Sequence, residues 1–223
     1  LTDDEVTAVV AEYAHAAASA IAAGFDGVEL HAANGYLMEQ FLNANVNTRT
    51  DRWGGSIDGR NRFTLEVARA VTAAIGSART GIRVSPYGAF NATGAFPEVE
   101  VQHLALATAL GALGVAYLHL VDHSSMGAPA IPAGFRAALR KAFDGVFIAS
   151  GGFDLEKAES VLAAGGADLV AFGRQALANP DLPARLELGL ALNAPDASTF
   201  YTPGAKGYTD YPVADVARPA LVG

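Results

Sequence analysis

The sequence has no cysteine, so disulfides, thiolate metal sites and thiolate nucleophiles are excluded. Long hydrophobic runs are missing as well. Asp, Glu, Arg or His interrupts every extended Ala/Val/Leu stretch before it reaches the ~18 apolar residues of a membrane span, so no membrane association is expected. Basic residues are scarce: 15 Lys and Arg, scattered along the chain, stand against 23 Asp and Glu for a net charge of -8. Neutralising a phosphate backbone takes clustered cations, so nucleic acid is not an expected partner. The opening Leu1-Thr2-Asp3-Asp4-Glu5 has neither the basic nor the apolar region of a secretory leader, and a cytoplasmic location is the expectation. The five histidines, His15, His31, His103, His119 and His123, make no compact ligand motif, and no metal is expected. His15 and His103 fall in predicted helices, where surface or core-edge positions are expected.

What is present fits a globular α/β chain. At 223 residues, 51% hydrophobic and 17% charged, there is enough apolar material for one sizeable core, and residues 1–223 read as a single domain. Five short apolar segments recur: Val28-Glu29-Leu30, Ile82-Arg83-Val84, Tyr117 to Val121, Val146 to Ala149, and Leu169 to Phe172. Their near-continuous apolar character predicts parallel strands covered on both faces. Helices are predicted over Asp3–Ala22, Arg60–Ala74, Pro97–Leu113, Ala133–Ala142, Leu155–Ala164 and Pro183–Leu188. Thr2-Asp3-Asp4-Glu5 has the pattern of a capping box, and Gly24, Gly76, Gly114 and Gly166 stand where left-handed C-terminal caps would fall. Three helix-to-strand junctions resemble one another, which makes a (β/α) repeat the economical reading. An eight-stranded barrel takes ~250 residues, so the chain supplies about five β/α units of a (β/α)8 barrel. The Gly-x-Gly-x-x-Gly of a doubly wound dinucleotide-binding sheet is missing.

Chemistry in such barrels sits at the C-terminal ends of the strands. The first strand runs into His31, Asn34 and Tyr36, an imidazole, a carboxamide and a phenol within six residues. Each can hold a substrate oxygen or move a proton, although Asn34-Gly35 also suits a plain turn and Tyr36 a packing role. Arg83 places a charge inside an apolar strand and so needs a partner, whether an internal salt bridge or a ligand. The last two strands end in Ser150-Gly151-Gly152-Phe153 and Phe172-Gly173-Arg174-Gln175. Small residues and an arginine after two consecutive strands suit a phosphate.

The stretch Gly24 to His31, then Asn34-Gly35-Tyr36-Leu37, Gln40-Phe41-Leu42, Asn47 to Asp51, Gly54-Gly55-Ser56 and Arg60 to Phe63, resembles the fourth strand and following loop of the old yellow enzyme family. Ala178-Asn179-Pro180-Asp181-Leu182 and the tail Thr199-Phe200-Tyr201 with Gly207 to Pro212 extend the similarity over nearly the whole chain. The resemblance implies an FMN-dependent, NAD(P)H-driven ene-reductase acting on α,β-unsaturated carbonyl or nitro compounds. His31 and Asn34 would bind the activating oxygen and Tyr36 would deliver the proton. Arg83 would face the flavin pyrimidine edge, Gly151, Gly152, Gly173 and Arg174 would hold the FMN phosphate, and Tyr201 would stand near the substrate opening. Many relatives have a second histidine where this chain has Asn34. The resemblance also implies three preceding strands with no counterpart here, so a complementary N-terminal barrel chain is the expected partner. A noncatalytic half-barrel or assembly subunit is the alternative. A phosphate-binding aldolase or isomerase would leave His31, Asn34, Tyr36 and Arg83 without a role and lacks a strand lysine, since Lys141, Lys157 and Lys206 lie elsewhere.

Overall fold

The computed structural model describes residues 1–215. They fall into two compact units, Leu1–Ala171 and a second beginning at Phe172. In the first unit, helix α1 (Asp3–Ala22) starts on the expected capping box: Thr2 Oγ1 accepts the Glu5 amide at 3.2 Å, and Glu5 Oε2 accepts the Thr2 amide at 2.7 Å. There follow β1 (Val28–Ala32), α2 (Leu37–Leu42), α3 (Ile57–Ile75), β2 (Thr80–Val84), α4 (Val99–Ala112), β3 (Tyr117–Val121), α5 (Ala133–Ala142), β4 (Val146–Ser150), α6 (Leu155–Ala163) and β5 (Leu169–Ala171). The sheet order is β1-β2-β3-β4-β5, all parallel. Every crossover therefore steps to the next strand in the same direction, which is barrel winding; a doubly wound sheet would reverse at a switch point.

The strand sequences look uniformly apolar, but the two faces differ. Leu30, Ala32, Ile82, Val84, Leu118, Leu120, Phe147 and Ala149 alternate onto one face and join Val67, Val71, Leu106, Leu110, Leu139 and Phe143 of the helices in one buried core. The opposite face carries Glu29, His31, Arg83, Tyr117, His119 and Ser150. Cover on both faces was the expectation from the apolar runs; helices cover one, and on the other Val146 and Leu169 are exposed. Register sets side chains of this second face level with one another, His31 beside Arg83, Arg83 beside His119, and His119 beside Ile148.

Several boundaries differ from the sequence reading for local reasons. Helix α3 begins three residues before Arg60 because Ser56 Oγ accepts the Gly59 amide at 3.1 Å. Helix α2 was not anticipated, since six residues are too few to display a 3.6-residue period. Gly24, Gly76 and Gly114 take positive φ as expected, but at the end of α6 the left-handed residue is Gly165, not Gly166. Gly166 meets a different demand: a Cβ there would lie 2.9 Å from Val161 Cγ2. His103 is also a correction. It lies buried in α4, with Nδ1 2.8 Å from the Val99 carbonyl, and burial pushes its pKa down to about 4.

The second unit contains α7 (Arg174–Ala178), too short to anticipate, and α8 (Leu182–Leu188). Buried Arg185 pairs with Asp181 at 2.7 Å and donates to the Pro212 carbonyl at 2.9 Å, while Asp181 accepts the Ala214 amide at 2.7 Å. These bonds tie the tail back onto α8.

Candidate active site

The ends of β1 and β2 bring four of the expected residues together. His31 and Arg83 are register partners, and the rings of His31 and Tyr36 lie 5.3 Å apart at 45°. Burial lowers the His31 pKa, and the Arg83 charge lowers it further against the opposing pull of Glu29. His31 is therefore a neutral imidazole at pH 7, with one N–H to donate and one nitrogen to accept. Arg83 forms no salt bridge among the described residues, and its buried Nε has no hydrogen-bond partner. Among the described residues the internal ion pair considered for it does not form; the charge of Glu29, acting at a distance, opposes the effect of burial on the guanidinium.

Asn34 sits in the left-handed region at φ 59°, followed by Gly35 at φ 71°. Asparagine tolerates this conformation better than most residues, and Gly35 is obligatory, because a Cβ would stand 2.3 Å from the Phe90 carbonyl oxygen. The Asn34 amide donates to Ser85 Oγ at 2.9 Å, and its carbonyl accepts from Asn91 Nδ2 at 3.2 Å. The side-chain Oδ1 is buried and has no hydrogen-bond partner among the described residues. Tyr36 stands at the N-cap of α2 and stays 57% exposed.

Beside this group runs a polar chain that sequence reading did not single out. His119 Nδ1 is 2.9 Å from Glu29 Oε2, and Nε2 is 2.9 Å from Ser150 Oγ. Burial works to raise the Glu29 pKa, but hydrogen bonds from His119 and Tyr117 and the charge of Arg83 outweigh it and hold the carboxyl below its usual range. Burial and this carboxylate push the Tyr117 pKa up to about 12. The signal was present as Glu29-x-His31 and Tyr117-x-His119, polar residues spaced by two within apolar strands. Ser85, Glu39 and Asn91, which hold the Asn34 turn, had no comparable pattern.

After β4, Gly151 and Gly152 take φ of 123° and 68°. A Cβ on Gly151 would lie 2.0 Å from the Asp122 carbonyl oxygen, and one on Gly152 would lie 2.8 Å from Ser125 Cβ. Asp122 is buried and paired with Arg136 at 2.6 Å, so the wall behind the turn is itself anchored. His123 is buried too, with Phe90 edge-on at 4.8 Å. In the second unit, Gly173 precedes the first residue of α7, Arg174, and Tyr201 is 97% exposed. Among the described residues, no group of three His, Cys, Asp or Glu is arranged to hold a metal ion, and no helix is long and apolar enough to cross a membrane.

The profile of the NADH:flavin oxidoreductase / NADH oxidase family matches residues 1–193. Putative 12-oxophytodienoate reductase 12 of Oryza sativa subsp. japonica is 44% identical, over 96% of this chain and 55% of its own length. Chanoclavine-I aldehyde reductase of Penicillium roqueforti is 46% identical, over 95% of this chain and 59% of its own length. The solved structure of morphinone reductase superposes with a TM-score of 0.94 at 44% identity, covering 99% of this chain and 59% of that one. A structure of morphinone reductase in complex with tetrahydroNAD gives 0.92 at 45% identity. The chain thus spans little more than half the length of these relatives, in keeping with five strands of an eight-stranded barrel. Identity of this extent, together with the winding of the sheet and the polar groups at its strand ends, shows that the chain belongs to the FMN-dependent NADH:flavin oxidoreductase / NADH oxidase family, the old yellow enzymes.

Proposed function

We propose that this chain carries the substrate-activating side of an FMN-dependent, NAD(P)H-driven ene-reductase. It acts on the C=C bond of α,β-unsaturated carbonyl or nitro compounds once further strands complete the barrel. The observation that supports this most is the junction of β1 and β2, where neutral His31, Tyr36 and a partnerless Arg83 share one strand end. These residues fit a flavin. A buried guanidinium nitrogen without an acceptor among the described residues suits an electron-rich ring edge, and the Gly151-Gly152 turn, with both residues at positive φ after a strand end, suits a phosphate.

FMN held here would, once reduced by NAD(P)H, be the source of hydride for the alkene carbon remote from the activating group. His31 and the Asn34 carboxamide donate to the activating oxygen, where negative charge grows as hydride arrives. Because His31 is neutral, it contributes a hydrogen bond without adding a second full charge beside Arg83. Tyr36 gives its phenolic proton to the nearer carbon. Arg83 would hold the flavin by its pyrimidine edge and offer positive charge there. Gly151 and Gly152 of the first unit are assigned to the FMN phosphate; in the second unit, Gly173 and Arg174 by themselves suit a phosphate. A complementary N-terminal segment supplies the remaining strands and flavin contacts.

The test uses the complete protein under anaerobic conditions. NADPH or NADH should bleach its flavin band, and 2-cyclohexen-1-one or a nitroalkene should restore it. A protein that purifies without flavin, or whose reduced flavin ignores both acceptors, would overturn this reading.

A further inference from the structure

The turn that presents Asn34 and Tyr36 is held by a carboxylate that the reaction does not use. Glu39 is buried inside α2, yet it makes no salt bridge among the described residues. Its Oε2 accepts the Gly35 amide at 2.5 Å, and its two oxygens lie 3.0 and 3.1 Å from Ser85 Oγ. Ser85 Oγ in turn accepts the Asn34 amide, so its single proton is left for Glu39. Two successive amides of a left-handed turn are thus gathered, one directly and one through Ser85, onto a single carboxylate. Gln40 Nε2 closes the clamp by donating to the Gly35 carbonyl at 2.7 Å. Without that acceptor, Gly35 N–H and Ser85 O–H would both be buried and unpaired, and the turn at Asn34, φ 59°, would be held only from its carbonyl side, by Asn91 and Gln40, among these hydrogen bonds.

We infer that Glu39, acting through Gly35 and Ser85, is a positioning residue that sets the Asn34 carboxamide and the Tyr36 hydroxyl for substrate, and that its protonation loosens them. The hydrogen-bond inventory gives this dependence a route, through the Ser85 hydroxyl. A protonated carboxyl must place its own hydrogen, and the acceptor within reach is Ser85 Oγ, which would then have to turn its proton away from Glu39. Burial raises the Glu39 pKa to about 7, against the lowering effect of the Gly35 and Ser85 hydrogen bonds. No charged group of β1, α3 or the Ser85 loop shifts it among the described residues. The two states of the clamp are therefore close in energy near neutral pH.

This inference rests on the proposed ene-reductase reading, and one experiment separates their failures. In the complete holoenzyme, kcat and KM for 2-cyclohexen-1-one, which does not ionise, are measured from pH 5.5 to 8.5 for the parent, Glu39→Gln and Ser85→Ala, with FMN content and circular dichroism alongside. The parent should lose apparent substrate affinity as pH falls through about 7. Glu39→Gln should remove that transition and raise KM about tenfold, the equivalent of one lost buried hydrogen bond, with FMN retained. Ser85→Ala frees only the Asn34 amide and should raise KM less while shifting the transition. If Glu39→Gln does not fold, Ser85→Ala decides alone, and an unchanged KM and pH profile in that variant overturns the inference. A folded Glu39→Gln that keeps the parent's transition and KM also overturns it. A parent that binds FMN but reduces no enone would instead overturn the reading of function.

Discussion

Replacing Gly151 with alanine tests both the backbone of the turn after β4 and its assignment to the FMN phosphate. At φ 123° an L-residue carries roughly 1–3 kcal/mol of backbone strain. The added Cβ would also stand 2.0 Å from the Asp122 carbonyl oxygen, closer than any real Cβ contact. Asp122 cannot yield easily, because Arg136 holds its carboxylate at 2.6 Å and its carboxyl accepts the Ser124 amide at 2.8 Å. The turn itself must move. If two phosphate hydrogen bonds are lost at about 1.4 kcal/mol each, FMN affinity falls about 100-fold. Gly165→Ala is the control. Its φ of 67° is left-handed too, but nothing lies within 4 Å of the added Cβ, so it should cost only about 1 kcal/mol of stability. Urea unfolding of the apo-protein and fluorescence titration with FMN give the two numbers for each variant. Equal stability losses in both variants, with FMN binding as tight as the parent's in Gly151→Ala, would refute both the steric argument and the phosphate assignment.

Further outcomes follow from the other residues. Tyr36→Phe should leave flavin reduction by NAD(P)H nearly intact and slow enone reduction by 10²-fold or more, as expected for a lost proton donor; equal slowing of both half-reactions in stopped-flow traces would remove Tyr36 from that role. Arg83→Met should lower the flavin midpoint potential, since a positive charge beside the reduced ring is removed, and a redox titration that finds no shift would place Arg83 away from the flavin. His103, with a folded pKa depressed from 6.5 to about 4, contributes stability that is present above pH 6.5 and lost as pH falls toward 4. The loss should reach about 3 kcal/mol, and urea midpoints of His103→Gln across that window should show a flatter acid limb than the parent. Identical limbs would mean that His103 is not buried neutral.

Local patterns were enough to read the architecture and to single out the segment proposed to carry the chemistry. Five strands, the longer helices and the Thr2–Glu5 capping box follow from local apolar runs, cap residues and turn glycines, and those signals span only a few neighbouring positions. His31, Asn34 and Tyr36 were legible for the same reason: they lie within six residues at the end of one strand. Short α2 and α7 left no period to read, and Gly165 and Gly166 differ only in which one the chain turns left-handed. Pairings across the sheet depended on folding. That Arg83 lies level with His31 and that His119 joins Glu29 to Ser150 are consequences of parallel strand register, and that Ser85 meets Glu39 beneath the Asn34 turn follows from where α2 and the loop after β2 pack; the paired residues stand 31 to 90 positions apart. It took the packed chain to show that, among the described residues, Arg83 Nε has no acceptor and Glu39 is buried without a salt bridge. Both are properties of what surrounds a side chain, and a linear sequence does not state what surrounds it.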